Sequence, residues 1–265
     1  MHPVIFQLGS FKLPAYGLLV ACGYLAAILY VFRKAGAAGF KKDDLSDLVF
    51  YTVISGMLGA KLFYAFTYWQ ELGPDFLARA LYLLRSFQYG FVFYGGLIFG
   101  AGAFFLEARR RKLPVLKAAD LFAPALALGH AFGRIGCFLA GCCHGGPTAC
   151  ALSVTFTDPG AEVSPLLLGV PLHPAQLYEA AGNLLIFFAL NAALPRSLSG
   201  KLKPGTLAAL YAALYAALRF GVEFLRGDDR GALRLGLSPA QLISASVFLA
   251  ALAAIFALKA NYEKK

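Results

Sequence analysis

The chain has 265 residues, of which 59% are hydrophobic and 14% charged, with a formal net charge of +10. Soluble domains carry about 25% charged residues. The shortfall here runs along the whole chain, which excludes a soluble core with one anchor and predicts an all-α, polytopic membrane protein. The basic residues fall in short loops between apolar runs, so the positive balance reads as membrane topology and argues against a nucleic-acid partner.

A membrane-crossing helix needs about 20 mostly apolar residues. Seven such runs are found, at residues 14–32, 47–68, 91–107, 119–140, 176–194, 205–225 and 239–258. The first begins after Lys12 without a basic leader or a small-residue cleavage site, so it is expected to stay as a helix. Residues 74–88 are apolar but interrupted by Arg79 and Arg85, the pattern of an amphipathic helix lying in the interface. No soluble domain or repeat is visible, and a single integral-membrane domain over residues 1–265 is expected.

Lysines and arginines set the orientation. The loops after the first, third and fifth helices and the C-terminus hold fifteen of them, ending with Lys264 and Lys265; the opposite side holds six. The positive-inside rule then puts the N-terminus outside (periplasmic in a bacterial inner membrane) and the C-terminus in the cytoplasm. The long loop 141–175 has none and faces outward. Arg226, Arg230 and Arg234, with Asp228 and Asp229, stand on the translocated side, where something other than topology must retain them.

The most informative stretch runs from Gly133 to Gly145. Arg134 sits at or inside a membrane boundary, where a buried guanidinium costs several kcal/mol, about 3 or more, unless something polar or anionic pairs with it. Cys137, Cys142, Cys143 and His144 follow on a glycine-rich turn. This juxtaposition suits an anionic lipid headgroup and sulfur chemistry. Five cysteines is an odd number, and four of them, with Cys150, fall within this one region, a local site and not a disulfide framework. Buried filler, a non-adjacent disulfide, a reactive thiol activated by Arg134 or His144, and a zinc or copper site of Cys137, Cys142, Cys143 and His144 all remain open.

Other polar residues fall within or beside the spans. Arg219 and Glu223 are four apart and can pair on one helix face. Arg226, three further on, would extend this to an Arg–Glu–Arg line able to take a phosphate bidentately, while a purely structural ion pair is the plainer reading. Lys61 lies inside its run and either snorkels or faces a cavity. His130 reads as a core histidine. Tyr94 leads Gly95-Gly96, a pair that lets a helix backbone or a lipid approach closely. Gln176, Tyr178 and Glu179 bring polar groups to the start of the fifth helix, beside His173, which is either a general base or phosphate ligand or an exposed loop residue without a role.

These separated motifs together resemble the prolipoprotein diacylglyceryl transferase family. Tyr16-Gly17-Leu18 looks like its Tyr-Gly-Leu. Gly59-Ala60-Lys61-Leu62 is similar to its Gly-Ala-Arg-Leu, with lysine for arginine. Tyr94-Gly95-Gly96-Leu97-Ile98 resembles His-Gly-Gly-Leu-Ile. Gly133-Arg134-Ile135-Gly136 matches the start of the family signature. His173-Pro174-Ala175-Gln176-Leu177-Tyr178-Glu179 is close to His-Pro-Ser-Gln-Leu-Tyr-Glu, and Arg219-Phe220, Glu223-Phe224 and Arg226 follow the sixth-helix pattern. The signature then departs, because Cys137, Ala140, Cys142 and Cys143 stand where the family continues Asn-Phe-x-Asn-Gly-Glu, and Tyr94 replaces a histidine.

The resemblance implies an enzyme that moves the diacylglyceryl group of phosphatidylglycerol onto a lipoprotein-precursor cysteine, or another thiol acceptor, and releases glycerol phosphate. No metal or soluble cofactor is implied. Arg134 and Arg226 would clamp the phosphate, and His144 or His173 would take the place of Tyr94 as base, since tyrosine has a pKa near 10. Cys142 and Cys143 would tune or perform the acceptor chemistry. Tyr16, Lys61, Gly95, Gly96, Gly133, Cys137, Gln176, Glu179, Arg219 and Glu223 would contact substrate. Two other classes stand beside this one: a thiol-redox or metal-handling membrane protein working through Cys142-Cys143, and a transporter or lipid-binding module without chemistry.

Overall fold

The computed structural model describes residues 3–9, 11–86, 90–228 and 236–263. Helices appear at all seven predicted runs: α1 (Ala15–Ala35), α2 (Lys42–Thr67), α4 (Phe93–Arg110), α5 (Val115–Ala140), α6 (Ala175–Leu198), α7 (Thr206–Glu223) and α8 (Pro239–Glu263). The shorter α3 (Phe76–Arg85) occupies the predicted interfacial segment. Five of the described helices, α1, α2, α5, α6 and α8, are long and apolar enough to cross a membrane. The chain is thus a multi-pass membrane protein. The other two long helices are each 18 residues; α4 carries Glu107, Arg109 and Arg110, and α7 carries Arg219 and Glu223.

Helix ends follow end-charge chemistry. Asp43 and Asp44 fill the first turn of α2, and Arg33 and Lys34 the last turn of α1, each complementing the helix dipole. Asp75 caps α3 by accepting from the Ala78 amide at 2.7 Å. Phe76, Leu77 and Leu84 of α3 stay exposed, as an interfacial helix requires. Two small sheets were not foreseen. β1 (Val4–Leu8) and β2 (Phe11–Pro14) form an antiparallel hairpin before α1, and β3 (Val154–Thr155) pairs with β4 (Pro171–Leu172) inside the long loop.

The chain divides into two compact units, residues 1–34 with 119–265, and residues 35–118. In the second, α2 and α4 cross on glycine: a side chain at Gly95 would strike the Gly59 carbonyl, and one at Gly59 would lie 2.7 Å from the Gly95 carbonyl. Arg111 closes one end of this pair, reaching Glu107 at 2.6 Å, Asp44 at 3.2 Å and Asp47.

In the first unit α6 packs on α7 and α7 on α8, while α1 meets α5 where Gly23 faces Phe132 and the Gly129 carbonyl. Asp120 of α5 accepts from Ser197 Oγ at 2.8 Å, Gly205 N at 2.9 Å and Ala208 N at 2.9 Å, capping α7 from a neighbouring helix. The loop 141–174 has its own small core of Phe156, Val163 and Leu172.

Candidate functional site

The site grows from the turn at the end of α5. Gly141 (φ 87°) and Cys143 (φ 61°) both adopt the left-handed conformation, which folds Cys142 and Cys143 back toward Cys137. That conformation costs a non-glycine residue about 1–2 kcal/mol. The following segment is clamped between two others. Gly145 N donates to His173 O at 2.9 Å and His173 N to Gly146 O at 3.0 Å, while Gly146 N donates to Leu225 O at 2.9 Å. Gly145 also bridges Arg226 in antiparallel register. A side chain at Gly145 would collide with His173. This clamp brings residues from the ends of α5, α6 and α7 together.

A polar network lies below the turn. Arg134 Nε forms an ion pair with Glu179 Oε1 at 3.0 Å, and Tyr215 donates its hydroxyl to the same oxygen at 3.0 Å. His130 lies 3.4 Å from the Tyr215 hydroxyl through Nε2 and 3.4 Å from the Tyr211 hydroxyl through Nδ1. This agrees with the reading of His130 as a core histidine; the two tyrosines that hold it were not foreseen. Glu179 is fully buried and Arg134 keeps 17% of its side chain exposed. The buried carboxylate has its charge partner, which is the condition for its presence there. Gln176 Nε2 donates to Cys142 O at 2.7 Å, tying α6 to the cysteine turn. Among the described residues, Glu179 Oε2, Gln176 Oε1, Asn183 Oδ1 and Arg219 Nη1 are buried without a hydrogen-bond partner, polar capacity that water or a bound polar group would satisfy.

Arg219 pairs with Glu223, as their spacing predicted, and Glu223 Oε1 accepts from Ser238 Oγ at 2.8 Å. The expected Arg–Glu–Arg line does not continue to Arg226. Helix α7 stops at Glu223 and tightens into turns in which Leu225 N bonds Val222 O and Arg226 N bonds Glu223 O. This re-aims Arg226, which forks onto Asp228 at 2.9 and 2.8 Å. The fork accounts for one arginine and one aspartate of the group that the sequence puts on the translocated side; Asp229, Arg230 and Arg234 lie outside the described residues, as do Lys264, Lys265 and positions 87–88 of the interfacial segment.

All five cysteines are free thiols. The Sγ atoms of Cys137, Cys142 and Cys143 lie within 4.8 Å of one another. His144 is not in this group; its buried Nδ1 donates to Gly145 O at 2.9 Å. Cys150 is exposed. Cys143 is pushed below the ordinary thiol range by its interaction with the neighbouring Cys137 and Cys142 thiols, and the guanidinium groups of Arg226 and Arg134 act in the same direction. Both predicted clamp arginines therefore act on one point.

Tyr16 packs its ring 3.3 Å from the space a side chain at Gly136 would fill, and a side chain at Gly133 would meet nothing within 4 Å. His173 lies 3.5 Å from the Tyr178 hydroxyl. Lys61, Tyr94, Gly95 and Gly96 belong to the unit 35–118. There Lys61 donates to the Ser86 carbonyl at 2.8 Å, at the end of α3, and sits over the Tyr64 and Phe91 rings. Tyr94 is exposed. Gly95 is buried against α2, and a side chain at Gly96 would lie 3.4 Å from the Gly56 carbonyl, so the close approach their sequence permits is made by the α2 backbone.

Sequence reading missed Tyr215, Tyr211 and Ser238. The signal was present: Tyr211, Tyr215, Arg219 and Glu223 recur every fourth residue, one stripe along α7.

A buried guanidinium–carboxylate pair on membrane-crossing helices, with a second arginine and a thiol-rich turn beside it, defines an integral-membrane protein with a polar centre of paired charge and clustered sulfur. The chain belongs to the prolipoprotein diacylglyceryl transferase family, whose sequence model matches residues 3–257. It is 37% identical over 246 residues to the phosphatidylglycerol–prolipoprotein diacylglyceryl transferase of Clostridium tetani, covering 92% of each chain. It is 35% identical over 249 residues to transferase 2 of that name from Clostridium perfringens, covering 94% of this chain and 92% of the relative. The Pseudoalteromonas atlantica transferase is 33% identical over 271 residues, covering 98% and 91%. These names place the chain among transferase enzymes and do not favour a thiol-redox or metal-handling function.

Proposed function

We propose that the chain transfers the diacylglyceryl group of phosphatidylglycerol to the lipobox cysteine of a prolipoprotein and releases glycerol phosphate. The acceptor sulfur attacks the terminal glyceryl carbon. The carbon–oxygen bond to phosphate breaks, its electron pair leaves on the phosphate oxygen, and a thioether forms. The thiol proton passes to a base, for which His173 and His144 stand nearest the cysteine turn.

The observation that carries this reading is Arg134. Its Nε is held by a fully buried carboxylate, and among the described residues no partner engages its two terminal nitrogens. They suit a phosphate, which a guanidinium binds bidentately. Arg226, with a side chain 2% exposed and pinned by Asp228, supplies the second positive charge near Cys143. A single well-aimed donor to the developing phosphate charge stabilises it by about 3–4 kcal/mol by analogy with oxyanion holes. Tyr16, Gly133, Cys137, Gln176, Arg219 and Glu223 surround or brace this centre, and Cys142 and Cys143 border the acceptor. For Lys61, Tyr94, Gly95 and Gly96 the substrate role rests on the family motifs alone.

The 265 residues act as one membrane domain in a bacterial inner membrane. The bacterial relatives support the bacterial setting, and the basic-residue count supports a periplasmic N-terminus, a cytoplasmic C-terminus and an outward-facing cysteine turn. The test is a mass-spectrometric transfer assay with phosphatidylglycerol and a lipobox peptide. The wild-type protein adds a diacylglyceryl mass and releases glycerol phosphate; Arg134→Ala does not. Full activity in Arg134→Ala refutes the clamp, and lipid binding without transfer by the wild type refutes the acceptor.

A further inference from the structure

We propose that Cys137, Cys142 and Cys143 form a three-sulfur site for one soft, thiophilic metal ion of the cuprous or cadmium class, and that its occupation arrests transfer.

Three observations support this. The three Sγ atoms lie within 4.8 Å of one another. A metal–sulfur bond of about 2.3 Å in a planar trigonal site sets sulfurs about 4 Å apart, so closure asks for under about 1 Å of movement. Among the described residues only thiols gather here as metal ligands: His144 turns its Nδ1 to the Gly145 carbonyl, leaving a sulfur set that selects soft cations over hard ones. The backbone is also committed to the arrangement. Cys143 holds a left-handed conformation at φ 61°, next to Gly141 at φ 87°. A non-glycine residue in that conformation signals a local requirement. The clamp of residues 144–146 between 171–173 and 225–227 fixes the turn from which two of the sulfurs project.

Charge completes the argument. With all three sulfurs bound as thiolates, the occupied site carries a net charge of −2 for a monovalent and −1 for a divalent ion. The guanidinium groups of Arg134 and Arg226 both act electrostatically on Cys143. They offset this negative charge, and an anion so close competes with phosphate for them. The inhibitory half of the proposal rests on the reading of these arginines as the phosphate clamp.

The experiment titrates cadmium ion alone into the purified full-length protein in lipid nanodiscs, with Cys22→Ser and Cys150→Ser removing the two exposed thiols. Thiolate-to-cadmium charge-transfer absorption should saturate at one equivalent, and diacylglyceryl transfer should fall in parallel. Cys143→Ser, Cys142→Ser and Cys137→Ser should each weaken binding by at least about a hundredfold, since losing an outer partner alone costs about 10–100-fold. No saturable band in the parent protein overturns the site, whatever the variants do. A band with undiminished transfer overturns the inhibition. A band in a protein that shows no transfer under any condition supports the metal site while overturning the proposed function.

Discussion

Arg134 and Tyr215 share one oxygen atom. Glu179 Oε1 takes the guanidinium Nε and the phenol hydroxyl, each at 3.0 Å, from two different helices. A single buried carboxylate thereby sets the aim of the arginine on α5 and anchors α7 against α6. Its removal reaches both stability and chemistry.

Glu179→Gln keeps the shape and deletes the charge. It leaves Arg134 buried opposite an amide, and breaking one side of a buried pair costs about 3–5 kcal/mol. Denaturation in detergent should show a loss of this size. Transfer activity of whatever folds should drop by at least about a hundredfold, because an arginine free to rotate no longer presents its terminal nitrogens to phosphate. Unchanged stability and rate would refute the coupling.

Tyr215→Phe is the milder change to the same oxygen. One hydrogen bond to a charged acceptor is lost, about 1.5–3 kcal/mol, while the stacking against Tyr211 remains. A double-mutant cycle with Glu179→Gln should be strongly non-additive, because the phenylalanine has nothing further to lose once the carboxylate is gone. Additive effects would separate the two residues.

Ser238 serves two elements. Its hydroxyl accepts from Gln241 N at 3.2 Å while Ser238 N donates to Gln241 Oε1 at 3.0 Å, a reciprocal cap on α8, and it also donates to Glu223 at 2.8 Å. Ser238→Ala should destabilise by about 2 kcal/mol, the upper end for a cap. Ser238→Thr should restore most of it. Thermal unfolding of the three proteins decides.

The α2–α4 crossing predicts opposite outcomes for two glycines. Gly59→Ala drives a methyl against Phe99 and the Gly95 carbonyl, an overpacking that costs about 1–3 kcal/mol. Gly102→Ala meets nothing within 4 Å and gains up to about 1 kcal/mol of helix propensity. Melting temperatures that move the same way for both would contradict the packing.

Apolar run length located all seven long helices and the interfacial one because the bilayer imposes that length. It misplaced some ends. Helix α2 begins at Lys42, five residues before the apolar run, because Lys42, Asp43 and Asp44 make a good first turn yet lower the hydropathy there. The range 205–225 overran α7, because Phe224 and Leu225 are apolar but sit in tight turns that hydropathy does not register. The loss of the Arg219–Glu223–Arg226 line follows from that one misplaced end. Arg134 was legible because an arginine beside a membrane span demands a partner; the partner itself, Glu179, lies forty-five residues on and became visible only when α6 packed. The thiol cluster was legible as a cluster, but its inward fold depended on a left-handed Cys143 that no propensity would assign to cysteine.

Asp120 adds an order to the making of the protein. It supplies from α5 the acceptor that the first turn of α7 would otherwise lack, through Gly205 N and Ala208 N. Helix α5 precedes α7 in the chain, so the acceptor is synthesised before the helix that needs it. The start of α7 is thereby matched to one position on α5, and an apolar residue at position 120 would leave two amides and the Ser197 hydroxyl without their acceptor.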